Sequence, residues 1–106
     1  MTDEEFAEFY WSLTDEERIE VSRQLADFGK ANKEVLNISD EFIADNEKKL
    51  DRYIDAVAKN KQVKKLAHTL ETQMKLIEQR MKARLIEMME TESAHYFDDD
   101  KNNKSH

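Results

Sequence analysis

The chain has 106 residues, which is enough for one domain but limits how much apolar surface it can bury on its own. It contains no Pro, no Cys and a single Gly, which argues against β structure, Gly-rich phosphate loops, disulfides and thiolate metal sites. Charged residues make up 39% of the chain, and abundant Glu, Lys, Leu, Gln and Met favour helix throughout. We therefore predict an all-α fold, a small bundle of three or four helices.

The net charge of −7 is unevenly distributed along the chain. Residues 1–55 carry a net charge of −9, residues 56–86 carry +6, and residues 87–106 carry −4. Such asymmetry indicates either a charged partner or a bundle in which acidic and basic parts face each other.

Two capping boxes mark helix starts in the N-terminal part of the chain. Thr2 is followed three residues later by Glu5, and Thr14 is followed in the same way by Glu17. This spacing lets the Thr hydroxyl and the Glu carboxylate each bond a free backbone N–H in the first turn. We predict a short helix ending near Ser12 and a second helix after Thr14.

The second helix carries apolar residues at helical spacing, among them Val21, Leu25 and Phe28. Gly29 lies inside this pattern, either as a helix end or as a place where a neighbouring backbone comes close. We predict a continuous helix to about Leu36, with a soft point at Gly29.

A third helix is predicted after Ser39, a typical N-cap residue, and a fourth follows residues 59–62, which carry no apolar side chain. The fourth helix carries a long apolar stripe, defined as Val63, Leu66, Leu70, Met74, Ile77, Met81, Leu85 and Met88. Its steps of three and four favour a straight or slightly right-handed packing seam. At ~100° per residue, the apolar faces of the third and fourth helices point about 135° apart, so one unbroken helix would change neighbours halfway. Either the chain turns at residues 59–62 or one long helix serves two partners, and we favour a break or kink near Asn60. Residues 1–95 are predicted as a single helical domain and residues 96–106 as a disordered acidic tail.

No residue set gives a trustworthy catalytic or metal-binding signature. Glu92 and His95 match one half of a di-iron bundle motif, but such a site needs a second copy and further inward Glu residues. His68 lies alone on a polar, lysine-rich face and is expected to be solvated. No local nucleophile motif or Gly-rich loop is present. We therefore expect a protein that is not an enzyme and has no cofactor, metal or small-molecule substrate.

The apolar stripe leads to the main functional hypothesis, because the chain is too short to cover it comfortably. We predict a protein–protein interaction or assembly protein that binds a partner protein or itself, as a homo-oligomer with coiled-coil-like packing. Trp and Tyr anchor interfaces more often than other residues do, which adds an N-terminal aromatic cluster as a second contact. The predicted interface residues are Phe6, Tyr10, Trp11, Leu66, Leu70, Met74, Ile77, Met81, Leu85 and Met88.

Two alternatives rest on charge. The acidic residues Glu16, Glu17 and Glu20 would imitate nucleic-acid phosphates in an inhibitor of a nucleic-acid-binding enzyme, of the kind that phages or mobile elements encode. A basic face would instead bind nucleic acid directly. That face consists of Lys61, Lys64, Lys65, Lys75 and Lys82. The chain begins with an acidic segment and has no apolar run near the ~18 residues that span a bilayer, so we expect a cytoplasmic protein without a membrane partner.

Overall fold

The structure is a computed structural model, which describes the backbone of residues 1–104 and the side chains of residues 1–91. The described backbone contains four helices, α1 (Asp3–Ser12), α2 (Asp15–Ala31), α3 (Asp40–Ala58) and α4 (Lys64–Lys104). Residues 1–104 contain no strand. The all-α class and the small helical bundle are therefore confirmed.

Both predicted capping boxes are present. The Thr2 hydroxyl accepts a hydrogen bond from the Glu5 backbone N–H at 3.1 Å, and the Thr2 N–H donates to the Glu5 carboxylate at 3.0 Å. Thr14 and Glu17 repeat the arrangement at 3.2 and 2.9 Å. These bonds lower the pKa of both Glu carboxyls, the backbone bond being the largest cause. The first two helices begin where the sequence predicts.

The chain turns at two asparagines that take the place of glycine. Asn37 and Asn60 have φ of 55° and 53°, a left-handed conformation that Asn tolerates better than most residues. Behind Asn60, the Lys61 N–H bonds the Ala56 carbonyl at 2.9 Å, and the Asn60 N–H bonds the Val57 carbonyl at 3.1 Å. This pair of bonds is a Schellman motif, and it ends α3 at the predicted break.

The prediction of a helix to about Leu36 is wrong, because Asn32 caps α2 and its N–H bonds the Phe28 carbonyl at 3.0 Å. Asn37 lies in a second Schellman motif after the helix, in which the Ile38 N–H bonds the Lys33 carbonyl at 2.8 Å. The helix ends at Ala31, and residues 32–37 form turns. Leu36 and Ile38 are nevertheless buried, because the turn folds them back onto the core. Gly29 lies inside α2, and a Cβ built on it would lie 3.4 Å from Ile77 Cδ1. The nearest atoms belong to the side chains of Ile77 and Ile38, so the neighbour is not a backbone, as one interpretation of Gly29 predicted.

The helices run alternately up and down. The N-terminal end of α1 lies beside the middle of α4, since Asp3 bonds Gln79, and its C-terminal end lies nearer the start of α4, since Trp11 bonds Glu71. The α2 and α3 helices also run in opposite directions. The core between the helices consists of Phe6, Tyr10, Leu36, Ile38, Leu50, Tyr53, Ala67, Leu70, Met74 and Ile77.

The molecule is elongated, with principal extents of 71 × 28 × 16 Å. The long dimension follows α4, whose 41 residues span about 60 Å at 1.5 Å per residue. The bounds of α4 overlap the tail, residues 96–106, that we predicted to be disordered. The side chains of that tail lie outside the described residues, and the tail stays a prediction.

Candidate interaction surface

The apolar stripe of α4 divides into a covered part and an exposed part. Leu70, Met74 and Ile77 are 0%, 0% and 2% exposed, because the other three helices pack over them. The flanking Leu66 and Met81 are partly buried against the same core. The first five turns of the stripe therefore face the chain's own helices, and these five predicted interface residues belong mainly to the fold.

The exposed part of the stripe lies on residues 83–91, which we call the α4 extension. Leu85 is 58% exposed, Met88 is 50% exposed, and two residues beside the stripe, Ile86 and Met89, are 51% and 65% exposed. At ~100° per residue these four side chains cover about 160° of the helix circumference. An apolar arc of that width is typical of a helix face that packs against a neighbour.

The α4 extension leaves the rest of the chain immediately after Lys82. The last hydrogen bonds from α4 to the rest of the described chain run from Gln79 to Asp3, at 2.8 Å, and from Lys82 to the carbonyl of Met1, which precedes α1. Among the described residues beyond Lys82, the polar contacts stay inside α4, as in the Arg84–Glu87 ion pair at 3.6 Å. We call α1, α2, α3 and residues 64–82 of α4 the body.

Charged residues of both signs lie along this part of α4. Arg80, Lys82 and Arg84 precede Leu85, the first exposed apolar residue, and Glu87 and Glu90 follow it along the helix. The basic turn therefore lies next to the body and the acidic turn lies farther along the helix.

The aromatic residues predicted as a second contact surface lie inside the protein. Phe6 and Tyr10 are 3% and 0% exposed, and their rings stack with centroids 5.9 Å apart. The Tyr10 hydroxyl and the buried Ser22 hydroxyl share a hydrogen bond of 2.7 Å. Burial raises the pKa of Tyr10. Neither ring is available to a partner of the folded chain, because both are used to hold α1 on the bundle.

Trp11 is partly buried and joins three helices. Its indole N–H donates to the Glu71 carboxylate at 2.7 Å, its ring lies 4.4 Å from the His68 ring, and the Arg18 guanidinium lies 5.1 Å from its centroid. The aromatic residue that points away from the core face of α1 is thus placed against α4 and α2. Trp11 therefore packs against α4 and α2 within the chain, and its role as an interface residue stays a prediction.

Glu71 is a buried carboxylate with its partners in place. Lys75 Nζ lies 2.8 Å from one oxygen, while Trp11 and the His68 ring nitrogen, at 3.6 Å, face the other. Burial alone raises the pKa of Glu71, but the hydrogen bonds from Lys75 and Trp11 outweigh it and the pKa is lowered. Glu71 therefore remains charged at neutral pH as a structural ion pair.

Arg18 is a structural residue that sequence reasoning missed. Its Nε donates to the Tyr10 carbonyl at 2.9 Å and its Nη2 to the Trp11 carbonyl at 3.2 Å, so a cation meets the negative end of α1. The Asp15 carboxylate lies 2.8 Å from Arg18 Nη1 and accepts a hydrogen bond from the Tyr53 hydroxyl at 2.7 Å. Burial and the bond to Asp15 raise the pKa of Tyr53 to about 12. The sequence contains no spacing signal for this network, because its members come from three helices.

The predicted acidic surface is exposed, but part of it has local partners. Glu16, Glu17 and Glu20 are all exposed on the first turns of α2. The Glu17 carboxylate completes the Thr14 capping box, and Glu20 accepts from Gln24 at 3.1 Å. These two residues thus have structural roles, as acids in first turns commonly do.

The predicted basic face spans about 27 Å of α4 between its Lys64 and Lys82. Lys75 pairs with Glu71, and Lys82 bonds the Met1 carbonyl. The other three lysines are exposed around the turn between α3 and α4. They are Lys61, Lys64 and Lys65.

Within residues 1–91, no group of three or more His, Cys, Asp or Glu side chains is placed to hold a metal ion. The side chains of Glu92 and His95 lie outside the described residues. No helix, as far as the described residues extend, has the length and apolarity to cross a bilayer.

No protein-family model, curated protein or solved structure matches the chain.

Proposed function

We propose that this protein is a non-enzymatic helical assembly protein and that its α4 extension docks against a second copy of the chain. One observation carries the proposal. Leu85, Ile86, Met88 and Met89 are each at least half exposed on a helix that has already left the body. The other interface residues predicted from the sequence are used by the fold, which confines the docking surface to this segment.

The size of the patch supports a functional role. The exposed fractions of the four side chains correspond to about 400 Å² of apolar surface, comparable with the largest patch of an ordinary monomer, which is often functional. Burying it in two copies removes about 800 Å² from water, below the ~1,600 Å² of a standard stable interface. We therefore expect a reversible assembly, with a dissociation constant in the micromolar range or weaker.

The test is the molar mass in solution, measured by light scattering on a sizing column over a range of protein concentrations. The wild type should rise from monomer towards dimer, and Leu85→Asp/Met88→Asp should remain monomeric. Val35→Asp is the matched control, because Val35 is 56% exposed but lies in the turn after α2, outside the α4 extension. Because it leaves the α4 extension unchanged, it should assemble as the wild type does.

A wild-type chain that stays monomeric at hundreds of micromolar would contradict the proposal. So would a Leu85→Asp/Met88→Asp variant that assembles like the wild type. Helical circular dichroism of each variant checks that the body is intact.

The two charge-based hypotheses have weaker support. The acidic inhibitor would use Glu17 and Glu20, whose carboxylates have local partners. Direct nucleic-acid binding would use Lys75 and Lys82, which are also engaged within the chain. A shift assay at low salt with the wild type tests the second hypothesis, and retained binding to a nucleic-acid enzyme after Glu16→Lys would count against the first.

A further inference from the structure

We infer that Met88 and Met89 are sites of reversible oxidation by peroxides, and that their oxidation separates the assembled copies. The site of oxidation follows from burial alone, whereas the effect on assembly rests on the proposed function. Three observations lead to this inference: the absence of Cys, the unequal exposure of the methionines of α4, and the position of the two exposed ones on the α4 extension.

Methionine supplies all of the sulfur in the chain, which contains five Met and no Cys. Thiolates, the sulfur groups that peroxides convert to sulfenic acids and disulfides, are therefore missing. A peroxide that oxidises sulfur in this protein has to react with a methionine thioether.

The four methionines of α4 differ in how easily a peroxide can reach them. Met74 is 0% exposed in the core, and Met81 is partly buried against it. Met88 and Met89 are 50% and 65% exposed. Because a peroxide has to contact the sulfur atom, Met88 and Met89 should be oxidised before Met81, and Met74 should be oxidised last.

The reaction adds one oxygen atom to the thioether. A lone pair of the sulfur attacks one oxygen of the peroxide, the O–O bond breaks and an S–O bond forms. With hydrogen peroxide the second oxygen leaves as water, so the sulfur is oxidised by two electrons and the peroxide is reduced by two. A sulfoxide reductase with a dithiol reverses the step, yielding the thioether, the disulfide of the reductant and water.

Oxidation places a polar group on the surface that is proposed to dock. Met88 and Met89 are two of the four exposed side chains of the apolar arc, beside Leu85 and Ile86. A sulfoxide is polar, and methionine oxidation disrupts interfaces that bury the side chain. Burying two sulfoxides in each copy without hydrogen-bond partners opposes docking, so the dissociation constant should rise by about tenfold or more.

The test compares assembly before and after treatment with hydrogen peroxide. Peptide mass spectrometry identifies which methionines are oxidised, and light scattering on a sizing column gives the dissociation constant. Wild-type protein oxidised at Met88 and Met89 should assemble about tenfold more weakly or worse. Sulfoxide reductases for both epimers, with a dithiol, should restore the original affinity. Helical circular dichroism checks that the body is intact in each sample.

Two variants separate the effect of Met88 and Met89 from that of other oxidised residues. Met88→Leu/Met89→Leu keeps the surface apolar and retains Met1, which is 58% exposed, so it should assemble equally before and after peroxide treatment. Met88→Gln/Met89→Gln makes the surface polar with a good helix former, so it should assemble weakly with or without peroxide. Dissociation of the Leu variant by peroxide would place the effect at another residue and overturn the inference.

The outcomes separate this inference from the proposed function. Oxidation of Met74 as fast as that of Met88 overturns the assignment of the site. Complete oxidation of Met88 and Met89 without weaker assembly overturns the effect on assembly and leaves self-assembly standing. A wild-type chain that is monomeric at every concentration overturns the proposed function and the effect of oxidation on it, while the order of oxidation still tests the site.

Discussion

Leu70 and Leu85 offer a direct comparison, because they are the same residue type on the same stripe of the same helix. Leu70 is 0% exposed and Leu85 is 58% exposed. Truncating a fully buried leucine removes its transfer free energy and leaves a cavity, which costs about 2–5 kcal/mol. Leu70 lies at the centre of the core, so we expect Leu70→Ala to lose about 3–4 kcal/mol of the free energy of unfolding.

Leu85→Ala should change the stability of the monomer by less than about 0.5 kcal/mol, because an exposed side chain has little to lose and Ala is a good helix former. For a domain of this size the total stability is roughly 5–15 kcal/mol, so Leu70→Ala removes a large share of it. In melting temperature the loss corresponds to about 12–30 °C.

Urea unfolding at low micromolar concentration measures both values without interference from assembly. The chain has one Trp, and Trp11 reports on the body because its indole N–H bonds Glu71 across α1 and α4. At high concentration, where dimerisation is measured, the order of the two substitutions should reverse. Leu85→Ala should then have the larger effect, because it reduces dimerisation. Similar stability losses in the two monomers would refute the division of the stripe into a covered and an exposed part.

Three further substitutions test the body. Gly29→Ala should stabilise the chain by about 0.5–1 kcal/mol in thermal unfolding, because the added Cβ fits at 3.4 Å and Gly weakens a helix interior; destabilisation would mean that Ile77 cannot tolerate it. Asn46→Leu should lose about 1–3 kcal/mol in urea unfolding because Asn46 donates to the buried Gln73 at 2.6 Å, and a paired Gln73→Leu should recover much of the loss. Because the pKa of Glu71 is lowered by folding, its contribution to the free energy of unfolding is complete above the unfolded pKa near 4.5 and is lost as the pH falls through the folded pKa. The stability of the wild type should therefore fall more steeply below pH 4.5 than that of Glu71→Gln. Parallel pH profiles of the two proteins would contradict this.

Local signals in the sequence predicted the helix boundaries well. Thr2 and Thr14 start helices because their capping boxes need only residues three positions apart. The break near Asn60 followed from two apolar faces that cannot share one straight helix. The end of α2 was predicted too late, because its cap residue, Asn32, gives no signal as clear as Gly or Pro, and apolar residues continue beyond Ala31.

The candidate site was only partly predictable, because periodicity identifies an apolar face but not the neighbour that covers it. Leu70 and Leu85 are equivalent in spacing, and only the packing of the other helices distinguishes them. The sequence identified Trp11 as a candidate interface residue but not its partners in the fold, Glu71 and Arg18, which come from other helices. The Trp11–Glu71 bond joins residues that are 60 positions apart, and a contact at that separation gives no signal in local sequence patterns.

Helix α1 lies antiparallel on α4, from the Trp11–Glu71 bond to the contact of Met1 with Lys82. Beyond Lys82, the described part of α4 continues the apolar spacing with Leu85, Ile86, Met88 and Met89, each at least half exposed. Exposed apolar side chains of this size add no packing energy to an isolated extension, and they oppose solubility. Docking of a second copy, as proposed, would remove them from water and so give that spacing a physical role.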